Sequence, residues 1–174
     1  MPVDIGALVA TSIGAIKLKI LVFGPQVTTM SANPRTSKLQ AKRIEIRAKL
    51  EHLGHDVNYA EDLVDPTLPG ITGNPFLQEL LIMSEYDMIV TLVDSPGSIV
   101  EATVIASRPL LARKASLFMD DDYKGGLAHQ ACEFAKAMGA HYQTYNFPVD
   151  LDACHLYGFI EARVKSTQTI NFML

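Results

Sequence analysis

Several features are scarce in this sequence, and each scarcity disfavours a class of protein. The 174 residues include two cysteines and no CxxC pair, so nothing predicts a disulfide-stapled secreted domain. Acidic residues outnumber basic ones, 19 to 15, and the formal net charge of −4 disfavours a surface built for nucleic-acid polymers. No stretch matches G-x-G-x-x-G or the P-loop motif, and no histidine adjoins a candidate nucleophilic serine. We therefore expect a cytoplasmic protein without a bound cofactor.

The two ends of the chain are apolar. Residues 1–16 are rich in small and apolar side chains, but they lack a basic start and are too short to span a bilayer. They predict a helical extension ahead of a single domain, 17–174, with a signal peptide as the alternative. Together with the apolar stretch Ile170–Leu174, they predict a homo-oligomer, a dimer or larger, with no membrane contact.

Short apolar runs alternate with helix-like segments along the rest of the chain. Such alternation predicts an α/β fold: a doubly wound, mainly parallel five-stranded sheet with helices on both faces. This three-layer sandwich is similar to the flavodoxin and Rossmann folds. The predicted strands are Lys17–Phe23, His55–Tyr59, Asp87–Val93, Ala115–Met119 and His141–Phe147.

The segment Tyr86–Ala106 is the centre of the prediction. Asp87–Val93 is a nearly continuous apolar run rich in β-branched residues, typical of a strand covered on both faces. The run stops at Asp94–Ser98, where proline and glycine break the strand, and an apolar helix follows. Because ligands bind at the carboxyl ends of strands in open α/β sheets, this loop is the candidate site.

Two interpretations of Glu101 remain open on these grounds. In the first, Ser98 is the N-cap of the helix and Glu101, three residues later, completes a capping box. In the second, Glu101 is a catalytic carboxylate beside a loop whose free amides bind a sugar hydroxyl or a phosphate. A simple cap does not need the aspartate and the second serine that lie just upstream.

The segment Gly97–Glu101 resembles the G-[ST]-x-x-E segment of the nucleoside 2-deoxyribosyltransferase-like superfamily, and Phe23-Gly24-Pro25 is similar to the turn that ends that family's first strand. Its members transfer bases on deoxyribose or hydrolyse nucleotides. The resemblance implies that Glu101 is the nucleophile at the anomeric carbon. It also implies that Asp87, early on the preceding strand, contacts or protonates the base.

The function implied is N-glycosidic bond cleavage or base transfer on a small-molecule nucleoside or nucleotide. Hydroxyls and amides of the loop would hold the sugar hydroxyls or a 5′-phosphate. No metal is expected to take part. The candidate substrate-binding residues are Phe23, Gly24, Pro25, Asp94, Ser95, Gly97 and Ser98.

Three alternatives stay open. A Toll/interleukin-receptor-like NAD glycohydrolase also uses a glutamate on a helix beyond a serine-containing loop. A nucleotide-binding or sensing module without catalysis would use Glu101 only as a helix cap. A phosphoribohydrolase with a PGG-x-GT-x-x-E motif is matched only in part.

Charged residues elsewhere receive simpler interpretations. We expect the basic residues of the helix that starts at Thr36 or Ser37 to lie on its solvent side, and these are Lys38, Lys42, Arg43, Arg47 and Lys49. Arg35 and then Lys38, near the start of that helix, are candidate phosphate ligands. The acidic residues of the loop before Pro75 can bind sugar hydroxyls or remain solvated, and these are Glu61, Asp62 and Asp65.

Overall fold

Five short apolar runs form one sheet in the computed structural model, which describes residues 4–174. All four strand pairings are parallel, and the strand order is β2-β1-β3-β4-β5. The predicted doubly wound α/β fold is therefore confirmed, and the sheet is parallel throughout. The strands are β1 Lys19–Phe23, β2 Asp56–Tyr59, β3 Met88–Val93, β4 Ala115–Asp120 and β5 His141–Tyr145.

Helices connect the strands and cover both faces of the sheet. Short 3-10 helices at Ala60–Asp62 and Gly70–Gly73 interrupt the predicted long loop after β2, and another follows β4 at Asp121–Tyr123. The α-helices are α1 Ile5–Gly14, α2 Pro34–His52, α3 Pro75–Glu85, α4 Pro96–Ala106, α5 Pro109–Ala112, α6 Leu127–Ala137, α7 Val149–Asp152 and α8 His155–Met173.

The core has two halves, because side chains of a strand alternate between the two faces of the sheet. On one face, Leu21 and Ile89 pack with side chains from α3, α4 and α6. On the other face, Val22 and Val90 pack with α2 and α8. Every residue of β3 is buried, as expected for a central strand covered on both sides.

β1 and β3 are hydrogen-bonded neighbours, with Phe23 opposite Thr91. The first and central strands therefore lie side by side. The chain winds to one side of β1 through β2 and to the other side through β3, so the winding direction reverses between these strands. The crevice at the carboxyl ends of β1 and β3 is the place where sheets of this kind bind ligands.

The apolar amino-terminal segment contains the helix α1, which has no buried residue and packs against α8. Residues 1–3 of the predicted extension lie outside the described residues. None of the helices in residues 4–174 is long and apolar enough to cross a membrane.

Candidate functional site

The helix α4 begins three residues earlier than expected. Ser95, not Ser98, is the N-cap: its hydroxyl accepts a hydrogen bond from the Ser98 amide at 3.2 Å, and the Ser98 hydroxyl accepts one from the Ser95 amide at 2.9 Å. Pro96 occupies the first helical position, where a missing N–H costs nothing and the fixed φ suits the helix. The predicted Ser98–Glu101 capping box is therefore wrong, and Glu101 lies six residues into the helix.

This register leaves the Glu101 carboxyl without a partner in its own helix. One of its oxygens, Oε2, is buried and has no hydrogen-bond partner. A buried polar atom without a partner is costly, so its presence at the edge of a cavity requires an explanation. The interpretation of Glu101 as a helix cap is excluded by this geometry.

Glu101 lies between two adjoining cavities. One, which we call the polar cavity, has a volume of about 310 Å³ and is lined by Phe23, Gly24, Gln26, Ala60, Glu61, Glu79 and Glu101. The other, the apolar cavity, has a volume of about 230 Å³ and is lined by Phe76, Glu79, Leu80, Met83, Gly97, Val100, Glu101 and Val104. Glu79 and Glu101 line both cavities, so they occupy the junction between a polar and an apolar space.

A buried arginine binds Glu61, one of the residues that line the polar cavity. Arg43 is 0% exposed, and its guanidinium donates to both carboxylate oxygens of Glu61 at 2.6 Å. It also donates to the carbonyl oxygens of Val22 and Pro25, at 2.5 and 3.1 Å. The expectation that this side chain faces solvent is wrong, because α2 passes over the end of β1, where buried backbone carbonyls and Glu61 bind the guanidinium. The same expectation is wrong for Lys42, which is also buried and pairs with Glu45.

Burial and like charge together raise the pKa of Glu101 to about 8. Desolvation is the largest cause, the charge of Glu79 adds to it, Arg43 opposes it, and Glu61 raises the pKa further. Burial and the charge of Glu61 also raise the pKa of Glu79. At neutral pH the carboxyl of Glu101 is therefore mostly protonated when the cavities hold only solvent. Titratable groups with strongly shifted pKa values in a cleft are characteristic of functional sites.

Glu79 is the residue of this site that the sequence did not reveal. It lies on α3, a helix predicted only as a connection to the central strand, and it carries no motif. Its position on the helix offers a weak signal: Leu80 and Met83 are buried, so Glu79 lies at the edge of the helix face that packs on the sheet. Only the packing of α3 beside α4 places it near Glu101.

Two of the three residues predicted in the turn after β1 line the polar cavity. Phe23 and Gly24 line the polar cavity, whereas Pro25 is buried beneath it. Gly24 has φ of +146°, and a Cβ at this position would lie 3.2 Å from Cβ of Leu92. Only glycine adopts this conformation without strain, and only glycine leaves room for the side chain of Leu92. The backbone of Gly24 itself therefore forms part of the cavity wall.

The segment Asp94–Ser98, predicted as a loop but helical from Pro96 onwards, contributes less to the cavities than predicted. Gly97 lines the apolar cavity, but Ser98 is 1% exposed and its hydroxyl is bonded to the Asp94 and Ser95 amides. Asp94 and Ser95 line a separate, smaller cavity of about 130 Å³. Of the predicted loop residues, the structure thus brings only Gly97 and Glu101 together.

Arg35, a candidate phosphate ligand, is held by two aspartates instead. Its guanidinium contacts Asp94 at 2.8 Å and Asp120 at 2.6 Å, and it lies over the rings of Tyr123 and Phe147. Hydrogen bonds to Asp94 and Asp120 outweigh the effect of partial burial and raise its pKa. This cluster joins the carboxyl ends of β3 and β4 to α2, and Asp94 and Tyr123 line the separate cavity of about 130 Å³. Lys38, the next candidate, pairs with Asp152 at 2.9 Å on the surface.

Asp87 lies at the opposite edge of the sheet from Glu101. It precedes β3, and its carboxylate accepts a hydrogen bond from the Lys19 amide at 2.8 Å, at the amino end of β1. β3 has six residues, and at about 3.3 Å per residue the two edges are roughly 20 Å apart. The resemblance implies that Asp87 contacts or protonates the nucleobase beside Glu101. The structure corrects this expectation, since a residue that precedes a strand cannot reach the edge where the strand ends.

The acidic loop after β2 divides between the site and the surface. Glu61 turns inward to Arg43 and the polar cavity, whereas Asp62 pairs with Arg47 at 3.4 Å and Asp65 accepts hydrogen bonds from Thr67. Among the described residues, no group of three or more histidine, cysteine, aspartate or glutamate side chains is placed to hold a metal ion.

No protein-family model matches the chain, and no curated protein matches its sequence significantly.

Proposed function

We propose that the protein cleaves the N-glycosidic bond of a nucleoside, with Glu101 at the anomeric carbon. The observation that carries this proposal is the place of the half-buried Glu101 side chain: its Oε2 atom is buried without a hydrogen-bond partner, and the side chain lines both the polar and the apolar cavity. A nucleoside has the same division, with a polyhydroxylated sugar joined to a flat, largely apolar base. The bond to be broken would lie at the junction.

The two cavities can hold the two halves of this substrate in one orientation. The sugar hydroxyls fit the polar cavity, where the Glu61 carboxylate and the side chain of Gln26 can bind them. The base fits the apolar cavity, against the ring of Phe76 and the thioether of Met83. Holding the substrate so that the reacting carbon faces a carboxylate is a large part of such catalysis.

The chemistry follows from the two carboxyl groups at the junction. The transition state of glycosidic cleavage resembles an oxocarbenium ion, which a carboxylate stabilises and can trap as a covalent glycosyl-enzyme. Ionised Glu101 takes this role. Glu79 replaces Asp87 as the second group: it exchanges the proton with the leaving base and then with the incoming water or base. Two carboxyl groups in unlike environments are the usual equipment for this reaction.

The proposal includes a homo-oligomer, as expected from the apolar ends of the chain. Ile5 and Leu8 of α1 are 70% and 59% exposed, and Met173 at the end of α8 is 79% exposed. A second copy that covers these side chains would remove them from water. Light scattering after size-exclusion chromatography measures the mass directly, and a mass of one chain contradicts this part of the proposal.

The test of the function is chromatography of free base. Purified protein is incubated with a panel of ribonucleosides, deoxyribonucleosides and their 5′-monophosphates, with and without a second base as acceptor. We expect base release by the wild type and at least a 100-fold loss in Glu101→Gln. Glu85→Gln is the matched control, because Glu85 is exposed at the end of the same helix as Glu79. Release that persists undiminished in Glu101→Gln would contradict the assignment of Glu101.

A further inference from the structure

We propose that the preferred substrate is a nucleoside whose base is a cation at the ring nitrogen joined to the sugar, such as an N-ribosylpyridinium, without a 5′-phosphate. This inference rests on the proposed function and names its substrate class. It comes from the charged side chains around the two cavities and from the ionisation of Glu79 and Glu101 at their junction.

In the part of the chain that the structure describes, the linings of the two cavities hold acidic side chains and no basic ones. Three carboxyl groups line them, from Glu61, Glu79 and Glu101, and no lysine, arginine or histidine is among the described residues of either lining. The closest cation, Arg43, is fully buried, and its guanidinium is occupied by Glu61 and by backbone carbonyls. A cationic ligand gains from this field, and an anionic one is repelled.

A 5′-phosphate has no partner at this site. The next arginine, Arg35, is held between Asp94 and Asp120, so both arginines near the crevice are already neutralised. A phosphate in the polar cavity would lie beside Glu61 and Glu79 with no counter-charge. We therefore expect the unphosphorylated nucleoside to bind more tightly than its 5′-monophosphate.

Burial of the junction also disfavours a neutral leaving base. A neutral base needs ionised Glu101 with no positive charge beside it, and burial together with the charge of Glu79 opposes that state by raising the pKa of Glu101. A cationic base needs no proton to leave. It requires only that both groups be ionised, and its own charge favours that state.

The charge and the atoms balance without any further reactant. A Glu101 oxygen forms a bond to the anomeric carbon while the carbon–nitrogen bond breaks, and the bonding electron pair neutralises the ring nitrogen. The neutral base then leaves. Water adds to the anomeric carbon, ionised Glu79 takes its proton, and the Glu101 carboxylate is released together with the free sugar. The net products are base, sugar and one proton.

The apolar cavity suits a flat cation. Phe76 lines it and is 46% exposed, so its ring is accessible to a ligand. A pyridinium stacked on this ring gains cation–π attraction in addition to apolar contact. Ionised Glu101 and Glu79 at the junction face the charged ring nitrogen from the other end.

The experiment compares two probes that differ by one hydride. Nicotinamide riboside has a cationic ring, and its 1,4-dihydro form is neutral and nearly the same shape. Isothermal calorimetry at low salt measures both dissociation constants, on the Glu101→Gln variant if turnover is fast. We expect the cation to bind the wild type at least about tenfold more tightly than the neutral form. Nicotinamide mononucleotide should bind more weakly than the riboside.

A second readout detects the proton. Binding of the cation to the wild type at pH 7 should release a proton from Glu101, seen as a dependence of the apparent enthalpy on the ionisation enthalpy of the buffer. Glu101→Gln should lose this release, and Glu85→Gln should keep it. Equal affinity for the cationic and neutral probes, or tighter binding of the mononucleotide, would overturn the inference.

Base release separates this inference from the proposed function. If neutral nucleosides lose their base faster than nicotinamide riboside does, the inference fails and the proposed function stands. If the cationic probe binds preferentially with proton release but no nucleoside loses its base, the proposed function fails and the charge preference stands.

Discussion

Arg43 and Glu61 form a bidentate ion pair beside the polar cavity, in which Nη1 and Nη2 of the guanidinium each lie 2.6 Å from one carboxylate oxygen. The pair also fixes the backbone of the turn after β1, because the same guanidinium donates to the carbonyls of Val22, Gly24 and Pro25. The ring of Tyr59 lies 4.3 Å from Cζ of Arg43 and covers it. One side chain therefore holds together the ends of β1 and β2 and the wall of the site.

The first prediction concerns this arginine. Arg43→Met should lower the free energy of unfolding by about 3–5 kcal/mol, because it leaves a carboxylate and three carbonyls without their donor. Arg47→Met is the matched control: Arg47 lies one turn further along α2 and pairs with Glu51 at the surface, so its loss should cost less than about 1 kcal/mol. Urea denaturation of both variants measures the difference. Equal losses would contradict the structural role given to Arg43.

The second prediction is the pH dependence of stability. Glu101 has a pKa of about 8 in the folded protein and 4.5 as an unperturbed group, so between these values the folded state keeps a proton that the unfolded state loses. Its contribution to stability is full below pH 4.5 and decreases as the pH rises to 8, by up to roughly 5 kcal/mol. Glu101→Gln should lack this decrease.

The measurement is the urea midpoint of wild type and Glu101→Gln from pH 4.5 to pH 8.5. Glu79 contributes a decrease of the same sign, and buried His55 and half-buried His141, whose pKa values are lowered, contribute an increase. The histidine contributions are common to both proteins, so the difference between the two curves reports Glu101 together with its coupling to Glu79. A constant difference across this range would mean that the pKa of Glu101 is not raised.

The third prediction follows from the placement of Asp87. Asp87→Asn should leave base release within about twofold of the wild type, because the residue is at the far edge of the sheet from Glu101. It should cost about 1 kcal/mol of stability, the value of a hydrogen bond to a charged acceptor near the surface. Glu79→Gln is the informative comparison, with an expected loss of at least about tenfold for a neutral nucleoside. A large loss in Asp87→Asn would restore the original assignment.

The five strands and the long helices could be predicted from local signals. Buried runs such as Ile89–Val93 are continuous and β-branched, and turns rich in glycine and proline bound them. The helix start at Ser95 could not be read in the same way, because Ser95 and Ser98 both satisfy the pattern. Pro96, which is well suited to the first helical position, is the residue that decides between them.

The sequence predicted mainly those residues of the site that lie in a recognisable motif. Glu101 and Gly24 lie in recognisable segments, whereas Arg43 and Glu79 belong to helices whose periodicity says nothing about the partner they meet. Arg43 is buried because Glu61, 18 residues later, turns towards it. Such pairings depend on how elements pack, and an arginine among other charged residues of a helix normally faces solvent.

The fourth prediction concerns the cluster around Arg35, which links α2 to the ends of β3 and β4. The side chains of Asp94 and Asp120 are 8% and 2% exposed, so removal of the arginine leaves two nearly buried carboxylates without a counter-charge. Arg35→Ala should therefore cost about 3 kcal/mol. Arg35→Lys keeps the charge but cannot reach both aspartates in the same way, since an ammonium lacks the planar fork, so it should recover only part of the loss. If the lysine variant matched the wild type in urea, the geometry of the fork would be irrelevant. If the alanine variant did so, the cluster would contribute nothing to the fold, and Arg35 would be available as a phosphate ligand after all.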